Sequence, residues 1–237
     1  MPRRPRFARR WLTAATWPVG IALTSWDYMW RTTVMHRREV VERDAELHMP
    51  RPYPASVDLT EVQFVRDGVG PLFHRRYRAR IRGCELEPEQ LMQSLKRNLN
   101  AVAPTAFARF HRVLGEGGSL RLGDEFVVRM PGPWDGPVRV IEETPRAFRL
   151  ATLAGHLEAG QIEFRASSED HRCLCFTIES WARSGDRLSN FLYHRAGMAK
   201  EVQLHMWISF LEGVGKLSRG AIDGGIDIDT RRVDDAR

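Results

Sequence analysis

Two hydrophobic periods divide the chain. Phe73, Tyr77, Ala79 and Ile81 alternate with Arg76, Arg78, Arg80 and Arg82, the period-two pattern of a strand with one apolar and one basic face. Residues 86–99 change to a helical pattern, with Pro88 near the first turn and Leu91, Met92, Leu95 and Leu99 on one side. A short helix or bend at residues 104–106 leads into 107–114. Period-two alternation then returns four times. Phe126, Val128 and Met130 share a face, as do Phe148, Leu150 and Thr152; Ile162, Phe164 and Ala166; and Leu174, Phe176 and Ile178. Residues 138–143 add a return strand after the turn at 132–136. Strands this close together pair as antiparallel neighbours, because a parallel pair needs a long crossover.

From residue 187 to 217 the period is helical again. Leu188, Phe191, Leu192, Val202, Met206, Phe210 and Val214 form an apolar stripe too broad to face water. Its natural partner is the concave face of the sheet. The expected fold class is α+β: a curved antiparallel sheet of about seven strands wrapped on a long C-terminal helix, with an N-terminal helical arm. The chain divides into a basic, Trp-rich arm with a Pro-containing connector at 1–61, a main domain at 62–218, and a Gly/Asp/Arg-rich stretch at 219–237 expected as a disordered tail.

Composition is that of a globular protein, with 43% hydrophobic and 28% charged residues. Charge is unevenly spread. Eight arginines and the single acid Asp27 give residues 1–38 a net +7, so the other residues carry −1 out of the total of +6. A nucleic-acid-binding face over the whole domain is therefore not expected, and the stripe Arg76–Arg78–Arg80–Arg82 reads as a solvated face neutralised by nearby acids. The three cysteines, Cys84, Cys173 and Cys175, do not form a disulfide framework and fit a reducing, cytoplasmic setting. No metal-ligand spacing, phosphate loop or nucleophile motif occurs, so neither metal nor cofactor is expected.

The N-terminal arm has two readings. Residues 11–25 are fifteen uncharged positions, fewer than the about 20 that span a bilayer. Arg9 and Arg10 beside Trp11 and Trp17, followed by Trp26 and Trp30, suit an interfacial helix on an anionic membrane surface. The other reading packs these tryptophans on the main domain.

The element order, with the stretches 123–126, 155–161, 183–186 and 200–203, resembles the helix-grip fold of the START-like superfamily of polyketide cyclases and lipid-transfer domains. At closer range residues 63–217 resemble an uncharacterised bacterial and plant branch of it, a domain of unknown function. The resemblance implies a sheet–helix cavity and supplies no reaction.

Seven residues are candidates for lining such a cavity. His156, Glu158 and Gln161 sit between two strands, as a pocket mouth or a solvated turn. Glu179 and Arg183 end the last strand, as a cavity acid with its partner or a salt bridge. Gln203 lies on the long helix. Trp134 sits on a hairpin tip. The expected function is binding of a small hydrophobic or lipid-like ligand. Two alternatives stand beside it: a cyclase, aromatase or hydrolase using His156, Glu158, Glu179 or Arg183, and an interaction module with a filled core. The enzyme reading requires two of those groups to converge in the cavity.

Overall fold

The structure, a computed structural model, describes residues 33–42, 49–104, 108–129, 135–170, 173–185 and 198–234. Its nine strands are β1 (Met35–Glu42), β2 (Val69–Arg82), β3 (Arg109–Leu114), β4 (Glu125–Arg129), β5 (Asp135–Thr144), β6 (Ala147–Thr152), β7 (Glu158–Asp170), β8 (Cys173–Ser184) and β9 (Ala221–Val233). Two helices are described, α1 (Pro88–Arg97) and α2 (Met198–Leu217). The strands form one open sheet in the order β1-β9-β2-β8-β7-β6-β5-β4-β3. Every pair is antiparallel except the edge pair β1–β9. Register shifts within five of these pairs, at Val69/Phe73, Ala79/Arg80, Arg112/Leu114, Val140/Glu142 and Ser168/Asp170, are irregularities of the kind that bend strands and curve a sheet.

The main domain supplies seven antiparallel strands, β2 to β8, all but β3 marked by the alternation, and the sheet has nine strands rather than the expected about seven. The other two come from segments expected to lie outside the sheet. Residues 35–42, expected at the junction of the helical arm and its extended connector, form β1. Residues 221–233, expected as a disordered tail, form β9. The alternation of Ile226 and Ile228 with Asp227 and Asp229 explains β9: the isoleucines are buried in the core, while the aspartates lie in register with Arg78 and Arg76. A Gly/Asp-rich composition hid a strand whose polar residues find partners on β2.

One face of the sheet, here the inner face, packs on α1 and α2. Phe148, Phe164, Phe176 and Phe210 are among the largest fully buried side chains, and the Phe148 and Phe164 rings stack at 4.7 Å. Helix α1 begins with Pro88 in its first turn and a capping box, Glu87 N–H donating to Gln90 Oε1 at 2.9 Å. It buries Leu91, Met92 and Leu95. Gly213 lets α2 approach the Leu99–Ala101 turn closely, since a Cβ there would lie 2.7 Å from the Val102 carbonyl.

The Pro-containing connector is more than a spacer. Its described part, from residue 49, straps across the outer face of β5, β6 and β7. Tyr53, Val57, Val62 and Phe64 pack on Ile141, Ala151 and Leu153. Buried arginines hold its backbone. Arg149 donates to the carbonyls of Arg51 (2.9 Å) and Pro52 (3.1 Å), and Arg139 to those of Asp58 (2.5 Å) and Thr60 (2.9 Å). An irregular segment must satisfy its carbonyls somewhere, and here arginines on the sheet do it.

Candidate functional site

Helical spacing places Gln203 and Trp207 one turn apart on α2, on a face turned to the sheet. Strand alternation places Arg75 on the inner phase of β2, beside Phe73 and Tyr77. Register carries that phase through Ser180 on β8 to Ile162 on β7, and the same phase of β7 contains Glu158. These elements bring together Arg75, Glu158 and Gln203. Arg75 Nη1 donates to Gln203 Oε1 at 2.9 Å. Gln203 Nε2 donates to Glu158 Oε2 at 3.1 Å, and Glu158 Oε1 lies 3.8 Å from Arg75 Nη1. The Arg75 guanidinium also sits 4.4 Å over the Phe73 ring. Charge and countercharge balance inside a largely apolar face, as burial of an ion requires.

Beside this trio lies Trp207, 7% exposed, whose indole Nε1–H has no acceptor among the described residues. Its ring packs edge-on against Phe164 at 5.6 Å and Phe210 at 6.1 Å. A buried donor without an acceptor costs about 1–3 kcal/mol, so most buried polar groups are paired and an exception calls for a reason.

The candidates read from the sequence divide between the two faces. Glu158 and Gln203 converge. His156 lies in the turn before β7, where its Nδ1 accepts from the Glu158 backbone N–H at 2.9 Å. Burial pushes its imidazole down to about 4, so it is neutral at ordinary pH. Gln161 points to the outer face and accepts from Arg149 at 3.0 Å, beneath the strap. Glu179 and Arg183 also face outward, because they share the phase of Gln161 and Trp181 across β7 and β8. Glu179 takes 2.7 Å contacts from both His74 and Arg76. Burial raises its carboxyl, but these hydrogen bonds and the charge of Arg76 outweigh it and hold the group below the usual carboxylate range. Arg183 Nη1 donates to the Gly70 carbonyl at 3.1 Å. Trp134, and Arg9, Arg10, Trp11, Trp17, Trp26 and Trp30 of the arm, lie outside the described residues. The enzyme reading requires two of His156, Glu158, Glu179 and Arg183 to converge on the inner face, and they do not: Glu179 and Arg183 face outward, and His156 bonds backbone.

Arg75 is not among the residues the sequence marks for the site, although its position carries a signal. It is the one charged residue on the apolar phase of a strand whose other phase carries the arginine stripe. That stripe is neutralised as expected. Arg76 pairs with Glu179 (2.7 Å), Arg78 with Glu169, Arg80 with Glu169 (3.0 Å) and Arg82 with Asp223 (2.9 Å).

Gly160 shapes the entrance to β7. Its φ is +156°, and a Cβ would lie 1.9 Å from the Trp181 carbonyl oxygen. The Thr152 hydroxyl fills the gap in the ladder, accepting from Gly160 N–H at 2.8 Å and donating to the Gln63 carbonyl at 3.0 Å. Among the described residues no group of three or more His, Cys, Asp or Glu is placed to hold a metal ion, and no helix is long and apolar enough to cross a membrane.

Solved structures of similar shape include a point mutant of norcoclaurine synthase from Thalictrum flavum, at 12% identity over 64% of this chain and 97% of that one, with a TM-score of 0.47. A hypothetical protein of Helicobacter pylori shares 12% identity over 61% and 86%, with a TM-score of 0.46. A major latex-like protein of Panax ginseng shares 10% over 56% and 97%, with a TM-score of 0.37. None of these figures carries a ligand or a reaction across to this chain. No curated protein matches it. A family profile matches residues 59–208, most of the chain and nearly all of the main domain, so the chain belongs to the DUF1990 family, a domain of unknown function.

Proposed function

We propose that the domain binds a small hydrophobic ligand between the sheet and α2, with one polar end at Arg75, Glu158, Gln203 and Trp207. The observation that carries this reading is the buried Trp207 indole N–H without an acceptor, one helical turn from Gln203. A ligand oxygen there would recover the cost of the unmade bond. Phe164 and Phe210 supply an apolar contact for the ligand body. Arg75 and Glu158 already compensate each other, so the polar end is a neutral acceptor such as a carbonyl or hydroxyl rather than a carboxylate.

Native mass spectrometry of the full chain, beside the same sample denatured and extracted, tests this. The expected result is a reproducible copurifying neutral mass, or saturable uptake of a neutral apolar dye that Trp207→Phe weakens about tenfold. A clean apo mass together with no saturable dye binding overturns it.

The net +7 of residues 1–38 supports a second element of the reading, in which the domain works beside an anionic membrane surface. Co-sedimentation with anionic liposomes then weakens with salt and is lost on deleting residues 1–32, a deletion that leaves β1 whole. Liposome binding unchanged by that deletion would refute it.

A further inference from the structure

The outer face carries a groove of about 220 Å³ lined by Arg76, Arg78, Glu163, Arg165, Thr177 and Glu179. Register explains the lining. Arg78 on β2, Thr177 on β8 and Arg165 on β7 stand side by side in one cross-strand row. Neighbouring strands lie about 4.8 Å apart, so the two arginines are separated by about 10 Å at the backbone with the threonine hydroxyl midway.

Each guanidinium is fixed along one edge. Arg76 gives Nε and Nη2 to Glu179 Oε1, at 3.1 and 2.7 Å. Arg165 gives Nε to Glu163 Oε1 at 2.7 Å. Arg78 gives Nε to Cys175 Sγ at 3.0 Å and Nη2 to Glu169. Among the described residues the Nη1 groups of these three arginines donate to no protein atom. The lining carboxylates are already engaged, Glu163 by Arg51 and Arg165, Glu179 by His74 and Arg76.

We infer that this groove binds the phosphoryl group of a polyol phosphate, held between Arg78 and Arg165 with Thr177 donating from below. Planar guanidiniums with a free edge and a hydroxyl between them match the tetrahedral oxygens of a phosphate. Arg76 and Arg78 also line an adjoining groove of about 540 Å³ that contains Arg38, Asp227 and Asp229. Those two carboxylates stand in register with Arg78 and Arg76, make no salt bridge within 4 Å among the described residues, and accept from the hydroxyls of the polyol. The same chemistry is offered by a soluble polyol phosphate and by a phosphorylated lipid headgroup.

The test titrates the full chain with inorganic phosphate at constant ionic strength, reading ³¹P line broadening and Tm, with far-UV circular dichroism as the control for folding. Saturable binding is expected. Arg78→Gln and Arg165→Gln abolish it, and Thr177→Val, which removes only a hydroxyl, weakens it about tenfold. Arg146→Gln, at an exposed arginine paired with Glu89 elsewhere, leaves it unchanged. If either arginine variant fails to fold, Thr177→Val decides. Tighter binding of glycerol phosphate than of phosphate identifies a soluble ligand. Stronger co-sedimentation with vesicles containing phosphatidylinositol phosphate than with phosphatidylserine vesicles of equal charge, an excess that Thr177→Val reduces about tenfold, identifies a headgroup. No response beyond that to chloride, or binding that survives Thr177→Val and both arginine variants, overturns the proposal.

Discussion

The inner and outer faces of this sheet are built from the same strands and follow opposite rules. Inside, aromatic and aliphatic side chains surround one polar trio, Arg75, Glu158 and Gln203. Outside, one row across seven strands runs Arg38, Asp229, Arg76, Glu179, Glu163, Arg149, Glu142, all but one neighbouring pair opposite in sign. The exception is Glu163 opposite Glu179. Like charges in direct register repel, so each glutamate takes further donors: Arg51 and Arg165 for the first, His74 and Arg76 for the second. Where solvent reaches this row, charge is cheap to rearrange, while Arg149 and Glu163 within it are buried and engaged by partners. Where water is excluded, each polar atom must find a partner or register a cost.

Substitutions on each face sharpen that contrast. The largest effect belongs inside. Phe164→Ala removes a ring that touches Phe148, Trp207 and Phe210, and is expected to cost about 3–5 kcal/mol in urea unfolding. A loss below about 1 kcal/mol would mean the inner face is loosely filled.

The next effect comes from the covered part of the outer face. Glu125 takes two hydrogen bonds from Arg139, at 2.6 and 3.1 Å, and both are buried beneath the strap. Glu125→Leu alone strands a buried guanidinium and is expected to cost about 3 kcal/mol, while adding Arg139→Met recovers more than half of the loss. Equal loss in the single and double variants would show that the strap depends on Arg139 reaching the Asp58 and Thr60 carbonyls more than on the ion pair.

His156 gives a pH-dependent effect. Its folded pKa, about 4, lies below the unfolded value near 6.5, so the unfolded chain takes up a proton that the fold resists. The contribution is fully present above about 6.5 and is lost as pH falls toward 4, at up to about 1.4 kcal/mol per pH unit. His156→Asn, which keeps an acceptor for the Glu158 N–H, should flatten this part of the stability profile. An unchanged slope would place the titration elsewhere. The smallest effect is outside: Arg82→Gln breaks the half-exposed pair with Asp223 and should change stability by less than about 0.5 kcal/mol, measured in the same unfolding assay.

The difference between the faces also decides what could be read in advance. Inward-facing Phe, Leu and Ile at period two made β2 and β4 to β8 legible, and Pro88 with Leu91, Met92 and Leu95 made α1 legible. The neutralised arginine stripe followed from the charge count. β9 did not follow, because Gly224, Gly225 and the aspartates read as solvent-facing until β2 offers them arginines in register. Of the site, the sequence marks Glu158 and Gln203, but it groups Glu179, Arg183 and Gln161 with them, although one residue of phase turns a side chain to the other face.

By itself the sequence determined the alternation, the helical stripe and the place of the net charge, because these depend only on local period and composition. Which face each polar residue occupies, and which residue 45 or 128 positions away it meets, was decided by tertiary structure alone. Register and helix docking bring Arg75, Glu158, Gln203 and Trp207 together, and no local pattern encodes an encounter between segments so far apart along the chain.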